Sequence, residues 1–216
     1  MLWRIPVRGP ILTNSYLYAD EATRHGFLID PGFEPARLLR KIREQRVTVE
    51  KILLTHAHFD HISAAAAVSE ALGVKICLRG AGRRYAEDPA WNLSSLMGGH
   101  AVTLPAAQLE YLPDADGTRI VLAARPDFFL TLLMTPGHTA DGTTFVSADR
   151  MLAFVGDSVF QGSYGRCDMP GGDERTLLRS IRKSILTLPP EAVLLPGHGE
   201  ATTVAEERTR PWYQRA

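Results

Sequence analysis

Three imidazoles and a carboxylate fall within six residues at His56-x-His58-x-Asp60-His61, and this run limits the possible folds more than any other feature of the chain. Packing and turn formation give no reason for such a cluster, and neighbouring protonatable rings repel one another when charged. A metal site is the usual physical reason for it. On a loop, the alternating residues His56 and His58 can point the same way and grip one ion. Asp60 and His61, one turn further along, can point toward a second. Imidazole together with carboxylate suits zinc, iron or manganese. Each ion needs more ligands than this loop supplies, so distant segments must converge on it.

The chain has seven histidines. His138 and His198 each follow an apolar run in the frame Pro-Gly-His, which places the next side chain at the rim of a sheet. A lone histidine is more often a cap or core-edge residue than a ligand, and the shared frame is what singles these two out. Asp157 is the natural bridging candidate, because a carboxylate has two oxygens and can bind two metals at once. His25 and His100 read as surface or loop residues. Two divalent ions roughly 3.5–4 Å apart can share a water and bring its pKa toward about 7, giving a bridging hydroxide that attacks a carbonyl or phosphoryl centre. No serine or cysteine nucleophile is needed, and Ser158 lacks the Gly-x-Ser-x-Gly frame.

Apolar periodicity places strands over 12–18, 26–29, 51–54 and 75–78, and again over 119–123, 128–134, 143–147, 151–155 and 192–195. Helical spacing appears over 35–46, 62–72 and 173–186, and the segment from Thr203 to Pro211 reads as helical. The stretch Arg79–Asp116, with Pro89, Gly98, Gly99, Pro105 and Pro113, reads as loop-rich cover with a short helix near Tyr85. Two segments share one pattern. Phe27-Leu-Ile-Asp30, a helix and Ile52-Leu-Leu54 lead to His56, while Phe154-Val-Gly-Asp157, a helix and Val193-Leu-Leu195 lead to His198. This strand–Asp–helix–strand–His repeat points to two similar halves.

The 216 residues, 45% of them hydrophobic, suffice for one domain spanning 1–216. Lys plus Arg and Asp plus Glu are both 24, so net charge gives no reason to expect nucleic acid or an anionic membrane as partner. The start has no long apolar core of a signal peptide, and no run approaches the roughly 18 apolar residues of a membrane span. Cys77 and Cys167 read as reduced thiols of a cytoplasmic protein.

The motifs Leu28-Ile-Asp-Pro-Gly32, Thr55-His-Ala-His-Phe-Asp-His61, Thr135-Pro-Gly-His-Thr139, Gly156-Asp157 and Leu195-Pro-Gly-His-Gly199 resemble those of the metallo-β-lactamase-fold hydrolases, across nearly the whole chain. Gly165-Arg-Cys-Asp-Met-Pro-Gly-Gly-Asp173 and Pro196-Gly-His-Gly-Glu-Ala-Thr-Thr203 are similar to signatures of the short glyoxalase II-like branch. The resemblance implies an α/β fold of the four-layer αβ/βα sandwich type. It implies His56, His58 and His138 on one ion, Asp60, His61 and His198 on the other, and Asp157 between them. Zinc is the first expectation, with iron or manganese as the other candidates. Asp60 is also the candidate catalytic carboxylate, Asp30 matches a position that braces the metal loop, and Arg166 one that shapes the substrate side.

The implied activity is hydrolysis of a small-molecule thioester, as in hydroxyacylglutathione hydrolases. Full-length glyoxalase II enzymes carry a C-terminal helical domain that binds glutathione. Only about eighteen residues follow His198 here, which leaves lactoylglutathione specificity open. Asn14-Ser15-Tyr16 and Gly165-Arg-Cys-Asp168 depart from the usual Asn-Cys-Tyr and Gly-Arg-Thr-Asp without touching a ligand. Exported β-lactamases of this fold commonly have Cys where Asp157 stands, which argues against a β-lactam substrate. Nuclease relatives need an inserted domain for which the spacing from His138 to His198 has no room. The competing reading is a persulfide dioxygenase with a single iron on His56, His138 and Asp157. A non-enzymatic scaffold is the third, disfavoured because such a role does not require the intact ligand set.

Overall fold

The structure is a computed structural model in which residues 1–97 and 100–214 are described. The chain divides into two compact units, one of residues 1–113 and 121–128, the other of residues 114–120 and 129–216.

In the first unit, β1 (Leu2–Arg8), β2 (Leu12–Ala19) and β3 (His25–Ile29) form an antiparallel meander. β4 (Thr48–Leu53), β5 (Ile76–Arg79) and β6 (Leu109–Leu112) add to it in parallel, so the six-stranded sheet follows chain order. The crossover from β3 to β4 is α1 (Pro35–Glu44), which starts on a proline where a missing N–H costs nothing. Its Leu38 and Ile42 share one face and join Leu28, Ile52 and Leu54 in the core.

Two short helices, α2 (Phe59–Ile62) and α3 (Ala65–Leu72), replace the single helix expected over 62–72. The Asp30-Pro31-Gly32 turn causes the break. Ala64 N–H donates to the carbonyls of Pro31 and Gly32 at 3.0 and 2.9 Å. A Cβ at Gly32 would collide with the Asp60 carbonyl, so only glycine lets the turn lie that close. α3 ends on Gly73 in the left-handed region at φ 68°.

Periodicity failed at two strands of this sheet. β1 contains Pro6, which breaks a strand pattern but is tolerated at an edge. The stretch read as loop-rich contains α4 (Arg83–Glu87), the short helix expected near Tyr85, and also β6, which was not expected. β6 is only four residues long, and its Glu110 is paired with Lys51 at 3.1 Å. Gly98 and Gly99 of that stretch lie outside the described residues. Residues 121–128 belong to this unit as a strap. Glu50 accepts from the backbone of Ala123 and Ala124, Arg125 meets Asp20 at 3.0 Å, and Phe128 packs on Tyr18 with ring centroids 4.7 Å apart.

The second sheet contains β7 (Arg119–Val121), β8 (Phe129–Met134), β9 (Thr143–Ser147) and β10 (Leu152–Gly156). A hairpin of β11 (Val159–Phe160) and β12 (Ser163–Tyr164) follows, then α5 (Glu174–Ser180), β13 (Val193–Pro196) and β14 (Thr202–Thr203). The sheet order is β14-β13-β10-β9-β8-β7, with the hairpin separate. Asp173 caps α5 by accepting from Thr176 N–H at 2.7 Å. The helix expected over 173–186 continues past α5 as a wider π turn over Ile181–Ile185. Leu177, Ile181 and Ile185 pack against Val155 and Leu194. The tail forms α6 (Val204–Arg208), opened by a Thr203–Glu206 capping box, and α7 (Pro211–Gln214).

The repeat expected from the sequence appears in the topology. β1-β2-β3-α1-β4 and β8-β9-β10-α5-β13 are each three antiparallel strands, a helix and a parallel strand. Beyond that core they diverge: the first unit adds two parallel strands, the second an antiparallel one.

Ile52 has no exposed surface, in the strand that leads into the histidine loop. Ile52→Ala is expected to cost about 2–5 kcal/mol, read as a lower urea midpoint with the m-value unchanged. A midpoint equal to wild type would contradict the packing described.

Candidate metal centre

In the first unit, β4 delivers the chain into Thr55–His61, where His56, His58, Asp60 and His61 are all buried. The His56 ring lies 4.9 Å from that of His58 and 4.1 Å from that of His61, centroid to centroid. His61 Nε2 is 3.5 Å from Asp60 Oδ2, which also accepts from the Thr13 hydroxyl at 3.2 Å.

Asp30 holds this loop. Its Oδ1 accepts from Thr55 N–H at 2.8 Å, and its Oδ2 from the Thr55 hydroxyl at 2.6 Å and from His61 Nδ1 at 2.9 Å. The hydroxyl proton of Thr55 is thereby committed, so Thr55 Oγ1 accepts from His56 Nδ1 at 3.2 Å. In both imidazoles the proton then sits on Nδ1 and the lone pair on Nε2. A carboxyl group that fixes the tautomer of a ligating histidine in this way is a recurrent outer partner of metal ligands.

In the second unit, His138 follows β8 through Thr135-Pro136-Gly137. Gly137 adopts φ 135°, and a Cβ there would collide with the backbone of Leu177. His138 Nδ1 donates to the Arg166 carbonyl at 2.7 Å; a carbonyl only accepts, so Nε2 again carries the lone pair. Asp157 follows β10 through Gly156 at φ 51°, and His198 follows β13. Asp157 Oδ2 lies 3.7 Å from His138 Nε2 and 3.2 Å from His198 Nε2. A Cβ at Gly165 would strike the Asp157 carbonyl and come within 3.0 Å of His138 Nδ1, so this glycine permits the close approach.

Each unit therefore assembles its own share of the expected residues: His56, His58, Asp60 and His61 in one, His138, Asp157 and His198 in the other. The donors fit a divalent metal. Nδ1 of His56, His61 and His138 is hydrogen-bonded and leaves Nε2 for an ion, and these histidines belong with Asp60 and Asp157 to His/Asp groups able to hold one.

The family profile of the metallo-beta-lactamase superfamily matches residues 8–198. The chain belongs to the metallo-β-lactamase superfamily. Among curated relatives of this superfamily member, the "Probable metallo-hydrolase YqgX" of Bacillus subtilis is 38% identical over 209 residues, covering 96% of this chain and 95% of that protein. The "Hydroxyacylglutathione hydrolase GloC" of Haemophilus influenzae is 33% identical over 208 residues, covering 94% and 93%. Among solved structures, BLEG-1 B3 metallo-beta-lactamase has a TM-score of 0.90 at 34% identity over 99% of both chains. TTHA1623 in a di-iron-bound form has a TM-score of 0.83 at 35% identity over 97% of this chain and 99% of that one. The α/β fold is that of the superfamily, and the protein is a metal-dependent hydrolase. No helix among the described residues is long and apolar enough to cross a membrane.

Sequence reasoning passed over the roles of Thr13, Thr55 and Gly165, and it placed Arg166 on the substrate side without the part its backbone carbonyl plays. Thr55 was the findable one, because it stands directly before the histidine run. The others depend on contacts between segments far apart in the chain. The Arg166 side chain is exposed and forks onto Asp168 at 2.7 Å twice, which holds the Asp168 carboxyl down to about 2. Gly165–Asp168 and Tyr164 line a groove of about 490 Å³ together with Gly172–Glu174. Of the other histidines, His25 pairs with Glu50 at 2.7 Å and His100 is exposed, away from any described ligand set.

Both cysteines are free thiols. Burial, reinforced by the carboxylates of Glu174, Asp173 and Asp168, pushes Cys167 up to about 11, and burial pushes Cys77 up to about 12. A raised thiol pKa leaves the unreactive protonated form dominant below it. Iodoacetamide should modify Cys167 slowly at pH 8 and faster as the pH approaches 11, with Cys77 protected until the chain unfolds. Rapid loss of both thiols at pH 7 would refute this.

Asp30→Asn replaces one acceptor oxygen by a donor facing Thr55 or His61. Metal affinity is expected to fall about 10–100-fold, measured by competition with a chromophoric chelator.

Proposed function

We propose that this chain is a dinuclear thioester hydrolase in which His56, His58 and His138 hold one divalent ion, Asp60, His61 and His198 hold the other, and Asp157 is shared. On this reading residues 1–216 act as one functional domain in a cytoplasmic, reducing setting. The observation that carries the metal assignment is the fixing of Nδ1 protons on His56, His61 and His138, which turns Nε2 of each into a ligand atom. The thioester class is supported by the 33% identity to a protein named hydroxyacylglutathione hydrolase over 94% of the chain. When bound, the two ions would polarise the substrate carbonyl and lower the pKa of a water toward neutrality.

The chain's own groups orient that chemistry. Asp60 is the carboxylate assigned beside the attacking water, and the Thr13 hydroxyl steadies its Oδ2. Asp157 Oδ2, close to the Nε2 atoms of two histidines, suits a shared ligand. Arg166 fixes His138 through its carbonyl and lines the groove, where its guanidinium is locked by Asp168.

Zinc is our first assignment, and the di-iron form of TTHA1623 keeps iron in consideration. The second reading is a persulfide dioxygenase with a single iron on His56, His138 and Asp157. The argument from Asp157 against a β-lactam substrate weakens beside the 34% identity to BLEG-1 B3 metallo-beta-lactamase, so a β-lactam belongs in the assay.

Elemental analysis should find two ions per chain. A panel of acyl-thioesters should be cleaved by the loaded protein, inactivated by chelation and restored by metal. His58→Ala should lose an ion and reduce turnover to background. Full activity in that variant, or cleavage that survives complete metal removal, rejects the proposal. Oxygen uptake with glutathione persulfide by iron-loaded protein, without thioester cleavage, would favour the second reading. Nitrocefin turnover without thioester cleavage would move the substrate class to β-lactams.

A further inference from the structure

Asn92 has no exposed surface, and the hydrolytic reading gives it no task. A buried amide is costly unless its donors and its acceptor are met. Its Nδ2 donates to the carbonyls of Tyr85 and Val102, both at 2.8 Å, and its Oδ1 accepts from Ser94 N–H at 3.0 Å. A carbonyl only accepts and a backbone N–H only donates, so these partners fix which way the amide faces. The Ser94 hydroxyl adds a tie of its own, accepting from Val102 N–H at 3.0 Å.

Two connections run from Asn92 to the histidine loop of the same unit. Its backbone carbonyl accepts from Phe59 N–H at 2.9 Å. Phe59 directly follows His58 and opens α2, where the first N–H groups of a helix have no partner within it. The Asn92 side chain also holds the main chain of Tyr85 in α4. The buried Tyr85 ring stands at 73° to the His58 imidazole, centroids 6.0 Å apart. One residue thus reaches both the backbone after His58 and the ring beside it. The backbone here is strained: Leu93 adopts φ 71°, a left-handed conformation uncommon for a residue with a bulky side chain. Such strain persists where surrounding contacts over-determine it, and it gathers at functional sites. The hydrogen bonds of Asn92 and Ser94 supply those contacts on either side of Leu93.

We propose that Asn92 is a positioning residue for His58: its carbonyl anchors the backbone after the imidazole, its amide holds the Tyr85 ring beside it, and together they set His58 for the first ion. The inference rests on the dinuclear reading above. Asp60 and His61 have anchors in Thr13 and Asp30, so the effect falls on the first ion rather than the second. Part of the control of that metal then lies in the segment after α4, outside the ligand motifs.

The test is cobalt(II) titration of metal-free full-length wild type, Asn92→Asp and Tyr85→Leu, following the d–d absorption bands, with thermal unfolding in parallel. The bands lost in His58→Ala mark the first ion. Asn92→Asp keeps the side-chain volume but turns an acceptor toward two carbonyls, and Tyr85→Leu leaves the amide clamp while removing the ring. Each variant is expected to bind the first ion about tenfold more weakly, with a changed first-ion spectrum and the second ion's affinity unchanged. If Asn92→Asp merely unfolds at lower temperature while both ions bind with wild-type affinity and spectrum, the role is structural and the proposal falls. Equal weakening of both ions overturns it too, since the effect would not then pass through His58. Should Asn92→Asp fail to fold, Tyr85→Leu decides: wild-type affinity and spectrum for the first ion there reject the proposal. A wild-type chain that takes up fewer than two ions defeats the dinuclear reading, and this inference with it, before any variant is compared.

Discussion

The carboxyl group of Asp30 is the joint on which the first unit's site depends. It accepts three hydrogen bonds from the histidine loop, two from Thr55 and one from His61. It does so from φ 49°, a left-handed backbone that Asp tolerates better than most residues. That strain costs on the order of 1–3 kcal/mol. Buried hydrogen bonds to a charged acceptor contribute roughly 1.5–3 kcal/mol each, so three of them outweigh it. The same contacts choose the tautomers of His56 and His61. One side chain thus fixes the path of the loop, the direction of its rings and the atoms they present.

The second unit solves the same problem with backbone atoms. The Arg166 carbonyl does for His138 what Asp30 does for His61. The glycines at 137 and 165 allow segments to approach where any Cβ would collide. The two units share a strand–Asp–helix–strand–His order, yet Asp30 braces a loop while Asp157 sits among imidazole nitrogens. An equivalent place in the repeat therefore carries a different chemical duty. The hydrophobic clusters behind each sheet supply the rigidity that makes such placement useful, since donors held on strand ends move little.

Much of the fold could be read from the chain. α1 was legible because Leu38 and Ile42 recur at helical spacing after a proline, and β9 because its apolar run has turn residues on both sides. β1 was not, because Pro6 interrupts the pattern and only an edge position excuses it. β6 was not, because four residues with a charge among them carry too little periodicity. The single helix read over 62–72 broke because a turn from elsewhere in the chain captured the Ala64 N–H, a competition that no local window contains.

The sequence by itself determined the chemistry on offer: the metal-ligand types, their clustering at His56–His61, the Pro-Gly-His frames and the repeated order of elements. These are local properties, written in spacing and residue type. Tertiary structure decided the roles of Thr13, Thr55, Gly165 and the Arg166 carbonyl, and with them which nitrogen of His56, His61 and His138 donates its proton. Those outcomes depend on hydrogen bonds between residues tens of positions apart. Such pairings exist only once the sheets have formed, because no pattern along the chain encodes which distant carbonyl or hydroxyl a given imidazole will meet.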